Sequence, residues 1–124
     1  MKIIISQNDS LAIYEQIVRQ VESAILHKEL LPGEALPSIR ALASKLEVSV
    51  ITTKRAYEEL EKEKLIHSVA GKGFFVCDSN TEYLRERKYM VLENRMAEVL
   101  DDCKKAGMTK EEAHDLLVND YMYF

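Results

Sequence analysis

The stretch VSVITTKRAYEELEKEKLI, residues 48–66, decides the fold. Ser49 suits a helix N-cap, because its side-chain oxygen can accept from a backbone N–H that the first turn leaves unpaired. Behind it Thr53, Ala56, Tyr57 and Leu60 return to one side at about 100° per residue, so this predicted helix has one apolar face. The opposite direction holds Ile51, Arg55 and Glu58, with Lys54 on its border. The cationic residues therefore come first and the acids later, and an outward isoleucine stands among the cations.

Working upstream, Ser38 caps a preceding helix of about ten residues whose apolar face is Ile39, Leu42, Ala43 and Leu46. Only Glu47, Val48 and Ser49 separate the two, and helices joined by so tight a turn form a helix-turn-helix. Before them Ile13, Ile17, Val21 and Ile25 recur every four residues, widened by Tyr14 and Val18. This first helix should end near His27, because Pro32, Gly33 and Pro37 follow in quick succession. The apolar, β-branched residues 3–5 (III) predict a short strand.

Downstream, IHSV and FFVC flank AGKG, which reads as a β-hairpin. Gly71 and Gly73 can take positive φ there and leave Lys72 at the tip. Three helices followed by a hairpin is the order of a winged helix-turn-helix.

A second part begins near Asp78. Tyr89, Leu92, Met96, Val99, Cys103 and Ala106 alternate spacings of three and four, the seam of a helix that packs on another helix. Met90, Ala97 and Leu100 broaden it. Gly107 closes this helix, and Thr109 with Glu112 forms a capping box for a last one, with Met108 and Ala113 as its staple. That helix presents Ala113, Leu116, Leu117 and Tyr121 and ends near Met122. Tyr121, Tyr123 and Phe124 are expected to pack and not to hold a cofactor. The expected division is residues 1–78 and 79–124, mainly α with one small hairpin.

In a helix-turn-helix the N-terminal part of the second helix enters the DNA major groove. Arg55 and Lys54 suit guanine edges or phosphates, Thr52 a phosphate or a base, and Ile51 a thymine methyl group. A merely solvated charged face explains the same cations when they are taken alone; the tight turn and the glycine hairpin favour the interface. The overall charge of −4, with a pI of about 5.4, opposes this reading only if charge is spread evenly. It is not: residues 37–77 hold seven basic against five acidic side chains, a net of +2, while residues 79–124 hold seven against ten, a net of −3. Docking responds to that asymmetry more than to the total.

Other chemistries find little footing. With 124 residues, 47% hydrophobic and 31% charged, the chain should fold as one compact domain with a small appendage. Cys77 and Cys103 stand far apart, and His27, His67 and His114 share no ligand spacing with them, so neither a disulfide nor a metal site is expected. AGKGF lacks the spacing and the strand-to-helix setting of a nucleotide loop. The carboxylates of the EEL and EKE stretches suit a solvated helix face. The run MKIII is too short for a signal peptide, and nothing approaches the ~20 apolar residues that cross a bilayer, so a cytoplasmic protein is expected.

Residues 13–76, through LPGEALPSIRALA, VSVITTKRAYEELE and GKGFFV in that order, closely resemble the winged helix-turn-helix domain of GntR-family bacterial transcription regulators. The two-helix tail is similar to that of the YtrA subfamily. The resemblance implies a DNA-binding regulator that is no enzyme, most simply a homodimeric repressor on an inverted-repeat operator, with transporter operons as the implied targets. A protein-interaction module without sequence-specific DNA binding is the alternative. The expected DNA-facing residues are Ser38, Arg40, Ser49, Val50, Ile51, Thr52, Thr53, Lys54 and Arg55, with Gly71, Lys72 and Gly73 in the wing. Arg40 carries the arginine of the family's PSxR motif; many relatives have arginine where Val50 stands, proline at Ala12 and glycine at Glu47. Dimerisation is expected through Tyr89, Leu92, Met96, Val99, Leu100, Cys103, Leu116, Leu117 and Tyr121. No cofactor, metal or membrane partner is implied, and no effector is identified.

Overall fold

The computed structural model describes residues 1–78 and 81–122; Tyr123 and Phe124, expected to pack, lie outside them. The chain forms two compact units, Met1–Thr81 and Glu82–Phe124.

In the first unit, α1 (Ile13–Leu26) buries Ile17, Val21, Ala24 and Ile25. The helix stops before any proline: Lys28 is left-handed at φ 61°, and the amides of Glu29 and Leu30 both return to the Ala24 carbonyl. Leu30 is thereby turned into the core. Ser38 caps α2 (Ile39–Leu46) by accepting from the Ala41 amide at 3.1 Å, and Ser49 caps α3 (Val50–Lys62) by accepting from the Thr52 amide at 3.0 Å. At 8 residues α2 spans its apolar pattern and is shorter than the expected length of about ten, because Glu47 ends it in left-handed geometry at φ 57° and ψ 43°, and the Val48 amide closes onto the Ala43 carbonyl.

The hairpin follows. β1 (Ile66–Val69) pairs antiparallel with β2 (Gly73–Val76), with Ile66 opposite Val76 and Val69 opposite Gly73. Its turn needs positive φ at Gly71 (75°) and Gly73 (105°), which costs glycine little. The loop between α1 and α2 runs along the other edge of β2. There the Gly33 amide donates to Val76, the Val76 amide to Glu34 and the Leu36 amide to Phe74, each at 2.9 Å. Ile17, Val21, Leu42, Ala56, Tyr57, Leu60, Ile66 and Val76 meet in one core.

Residues 3–5 do not form a strand. Glutamines of α1 supply the hydrogen-bond partners instead. Gln20 accepts from the Ile4 amide at 2.9 Å and donates to its carbonyl at 2.7 Å, and Gln16 makes the same exchange with Ser6 at 2.9 Å each way. The arm is bonded to side chains and not to another strand.

Tyr57 joins the parts. Its ring is buried, its hydroxyl donates to the Pro37 carbonyl at 2.7 Å, and Phe74 meets it edge-on with centroids 4.9 Å apart. Burial pushes its phenol up to about 12.

The second unit is α4 (Thr81–Lys105) and α5 (Lys110–Tyr121). Gly107, at φ 82°, ends α4, with the Met108 amide returning to the Cys103 carbonyl. Thr109 and Glu112 form the reciprocal capping box, at 3.1 Å and 3.0 Å. The backbone N–H of Thr109, and after it the Thr109 side chain, hold the Glu112 carboxyl below the ordinary carboxylate range. None of the described residues of this unit is buried.

Two stability measurements follow from these contacts. Glu47→Gly relieves a left-handed strain of about 1–2 kcal/mol and adds about 0.5–1 kcal/mol of chain entropy. Thermal melting should therefore show a net gain on the order of 0.5–1 kcal/mol, whereas Glu47→Val should lose stability. For Tyr57 the fold holds the neutral phenol, so its folded pKa lies above its unfolded value of about 10. Its contribution is complete below pH ~10 and lost as pH rises through ~12, on the order of 2–3 kcal/mol in all. Tyr57→Phe should remove that alkaline step, measured by urea unfolding between pH 9 and 12.

Candidate nucleic-acid interface

The outward face of α3 begins with Val50 and Ile51, and Ile51 is 81% exposed. Thr52 is half-buried, and its Oγ1 accepts from the Ser49 hydroxyl at 2.7 Å, leaving its own O–H to donate. Lys54 is exposed and lies 4.0 Å from Glu58. A surface pair at that distance restrains the ammonium little, so Lys54 remains available to an anion. At the start of the helix, N–H groups and the helix dipole add a fixed positive potential.

Thr53 leaves the expected interface. It is 0% exposed, and its hydroxyl donates to the Ser49 carbonyl at 3.1 Å. Its position on the side of Ala56, Tyr57 and Leu60 already carried that information, since residues on the core stripe cannot also face outward.

Arg55 is exposed, but its placement could not be read locally. Its guanidinium stacks 3.9 Å from the ring centroid of Tyr14, and its Nη2 donates to the Tyr14 hydroxyl at 3.2 Å. The partner is 41 residues away on α1, where the pattern marked Tyr14 only as an edge of the apolar stripe. No sequence spacing signals such a pair.

Arg40 is exposed in the first turn of α2, next to the capping Ser38. In the wing Gly71, Lys72 and Gly73 are exposed, with the Lys72 amide closing the turn onto Val69 at 2.9 Å. The hairpin is tied to α3 by Glu61, which accepts from the Ser68 amide at 3.2 Å and the Ser68 hydroxyl at 3.0 Å. Recognition helix and wing are thus coupled by side chains as well as by the core.

Burial, then the charges of Asp78 and Glu61, push the Cys77 thiol up, which keeps it protonated and a poor nucleophile. Among the described residues no three His, Cys, Asp or Glu side chains are grouped to hold a metal ion, and no helix is long and apolar enough to cross a membrane.

The second unit has a different surface. Tyr89, Leu92, Met96, Val99 and Leu100 on α4, and Leu116, Leu117 and Tyr121 on α5, are all exposed. Cys103 is half-buried. Between the C-terminal half of α4 and α5 runs an apolar groove of about 680 Å³, lined by Met96, Val99, Cys103, Met108, Ala113 and Leu117 among others. A contiguous uncovered apolar face of this kind is uncommon on a monomer.

Comparison with known proteins agrees with this architecture. The family described as "Bacterial regulatory proteins, gntR family" matches residues 13–76. The chain is 32% identical to the HTH-type transcriptional repressor YtrA of Bacillus subtilis (strain 168), over 90% of this chain and 85% of that one. A GntR family transcriptional regulator from Listeria monocytogenes superposes with a TM-score of 0.74 at 29% identity, covering 90% of this chain and 97% of that one. The AraR DNA-binding domain, in its crystal structure with operator ORR3, superposes with a TM-score of 0.53 at 27% identity, over 62% of this chain and 93% of that one.

Proposed function

The chain belongs to the GntR family of bacterial regulatory proteins, and from that premise we propose that it is a homodimeric repressor that binds an inverted-repeat operator in the cytoplasm. Its relatives are transcription regulators and not enzymes, and the chemistry asked of the protein is recognition alone. The observation that carries the finer reading is Ile51, exposed at the front of α3 with Lys54 beside it. An outward isoleucine is costly in water but gains apolar contact against a thymine methyl group.

In this reading α3 enters the major groove. Val50, Ile51, Thr52 and Lys54 face base edges, Ser38, Arg40 and Ser49 lie against the phosphates, and Gly71, Lys72 and Gly73 bring the wing to the flanking backbone. Phosphate contacts set position and base contacts set sequence. With valine at position 50, discrimination rests on apolar contact more than on a bidentate arginine.

The apolar surface of α4 and α5 suits a second copy of the chain. A two-fold pair of this kind reads two half-sites about 34 Å, or roughly 10 base pairs, apart. Occupying a promoter represses without any catalytic residue. A small effector, where one acts, has the dimer interface as its available apolar space.

Selection from randomised duplex DNA at moderate salt tests the proposal. The expected pool carries an inverted repeat with half-sites about one helical turn apart, whereas an unenriched pool would favour the protein-interaction alternative. Val99→Asp places a charge on the proposed seam and leaves the core of the first unit untouched. Sedimentation should then show monomers, and affinity for the two-half-site duplex should fall by more than about tenfold as the linked second contact is lost. A Val99→Asp protein that stays dimeric would contradict the assigned interface.

A further inference from the structure

Tyr14 and Arg55 are the pair that the reading above leaves unused. Arg55 sits on the exposed side of α3 and, among the described residues, has no carboxylate partner. Among the described residues its guanidinium hydrogen-bonds to the hydroxyl of Tyr14, and its Cζ lies over the ring of that residue, 3.9 Å from the centroid. The interaction orders the cation without neutralising it. A guanidinium has five N–H groups in its plane; stacking blocks a face and one N–H goes to Tyr14, so the remaining edge stays open. The Tyr14 hydroxyl, having accepted from Arg55, keeps its own proton to donate.

Direction decides what this edge meets. Ile51 marks the outward axis of α3, and the tether draws Arg55 off that axis toward α1. A helix seated in the major groove has base edges ahead of it and the sugar-phosphate walls on its flanks. We infer that Tyr14 and Arg55 together grip one DNA phosphate beside the recognition helix, Arg55 by its open N–H edge and Tyr14 by its hydroxyl, so that Arg55 anchors the backbone and does not read a base. The inference rests on the DNA-binding reading above and adds Tyr14, on α1, to the interface. Two donors fixed against one another suit a tetrahedral anion, and polarisation of the phenol by the guanidinium strengthens the second bond.

The test is fluorescence anisotropy with the full chain, using a duplex enriched by the selection and a scrambled duplex of the same composition, across a salt series. Tyr14→Phe keeps the stacked ring and removes only the hydroxyl. It should weaken both duplexes alike, roughly three- to tenfold, the loss of about one hydrogen bond, with the salt slope unchanged. Arg55→Gln should weaken both in the same proportion and reduce the salt slope by about 0.9, one phosphate contact. In each case the preference for the selected over the scrambled duplex stays as in the wild type. Wild-type affinity in Tyr14→Phe would overturn the role of the hydroxyl, and loss of the preference in Arg55→Gln would make Arg55 a base reader and overturn the phosphate assignment. A wild-type protein that binds neither duplex would sink the DNA-binding reading itself, and this inference with it.

Discussion

The buried phenol of Tyr57 is the contact on which the arrangement of the first unit depends. Its ring belongs to α3, its hydroxyl reaches the Pro37 carbonyl just before α2, and Phe74 of the hairpin closes on it edge-on. Three segments far apart in sequence therefore share one side chain. A carbonyl left without that hydroxyl would be a part-buried acceptor with its bond lost, and a smaller side chain would leave a cavity under the wing. The orientation of α3 relative to α2 and the wing is thus a property of the core. The DNA-facing residues we propose add little to stability and are free to vary with the sequence they read.

The second unit follows another logic. A helix of 25 residues and one of 12, with no buried side chain among those described, do not make a core of their own. Gly107 and the Thr109–Glu112 box nonetheless set the turn between them. Local order is encoded while the apolar face is left open, as in a surface meant to be covered. The net charge of −3 over residues 79–124 and +2 over residues 37–77 suits the same division of labour, one part toward phosphate and the other toward protein.

Much of this was legible in the sequence wherever a signal is local. Ser38, Ser49 and Thr109 cap the helices that their spacing announced, and Gly71 and Gly73 place the hairpin turn, because caps and turns depend on neighbours a few residues away. The misses are contacts over longer distances or conflicts between local rules. The β-branched run of residues 3–5 has the composition of a strand, but a strand needs a partner edge, and the glutamines of α1 met its amides instead. Glu47 takes a left-handed conformation without being glycine, where the Val48 amide closes the helix end onto the Ala43 carbonyl. Thr53 has the chemistry of a DNA contact and the position of a core residue, and position prevails. The stacking of Tyr14 on Arg55 joins α1 to α3, with nothing in either local stretch to announce it.

The front of α3 and the wing, displayed by one shared core, form the surface proposed to meet DNA. Backbone amide chemical shifts of the full chain, followed by NMR as a selected duplex is added, measure that surface most directly. The largest changes are expected at residues 38–40, 49–55 and 71–73, with Tyr14 moving alongside Arg55. Changes confined to α4 and α5, or none at saturating duplex, would contradict that proposal.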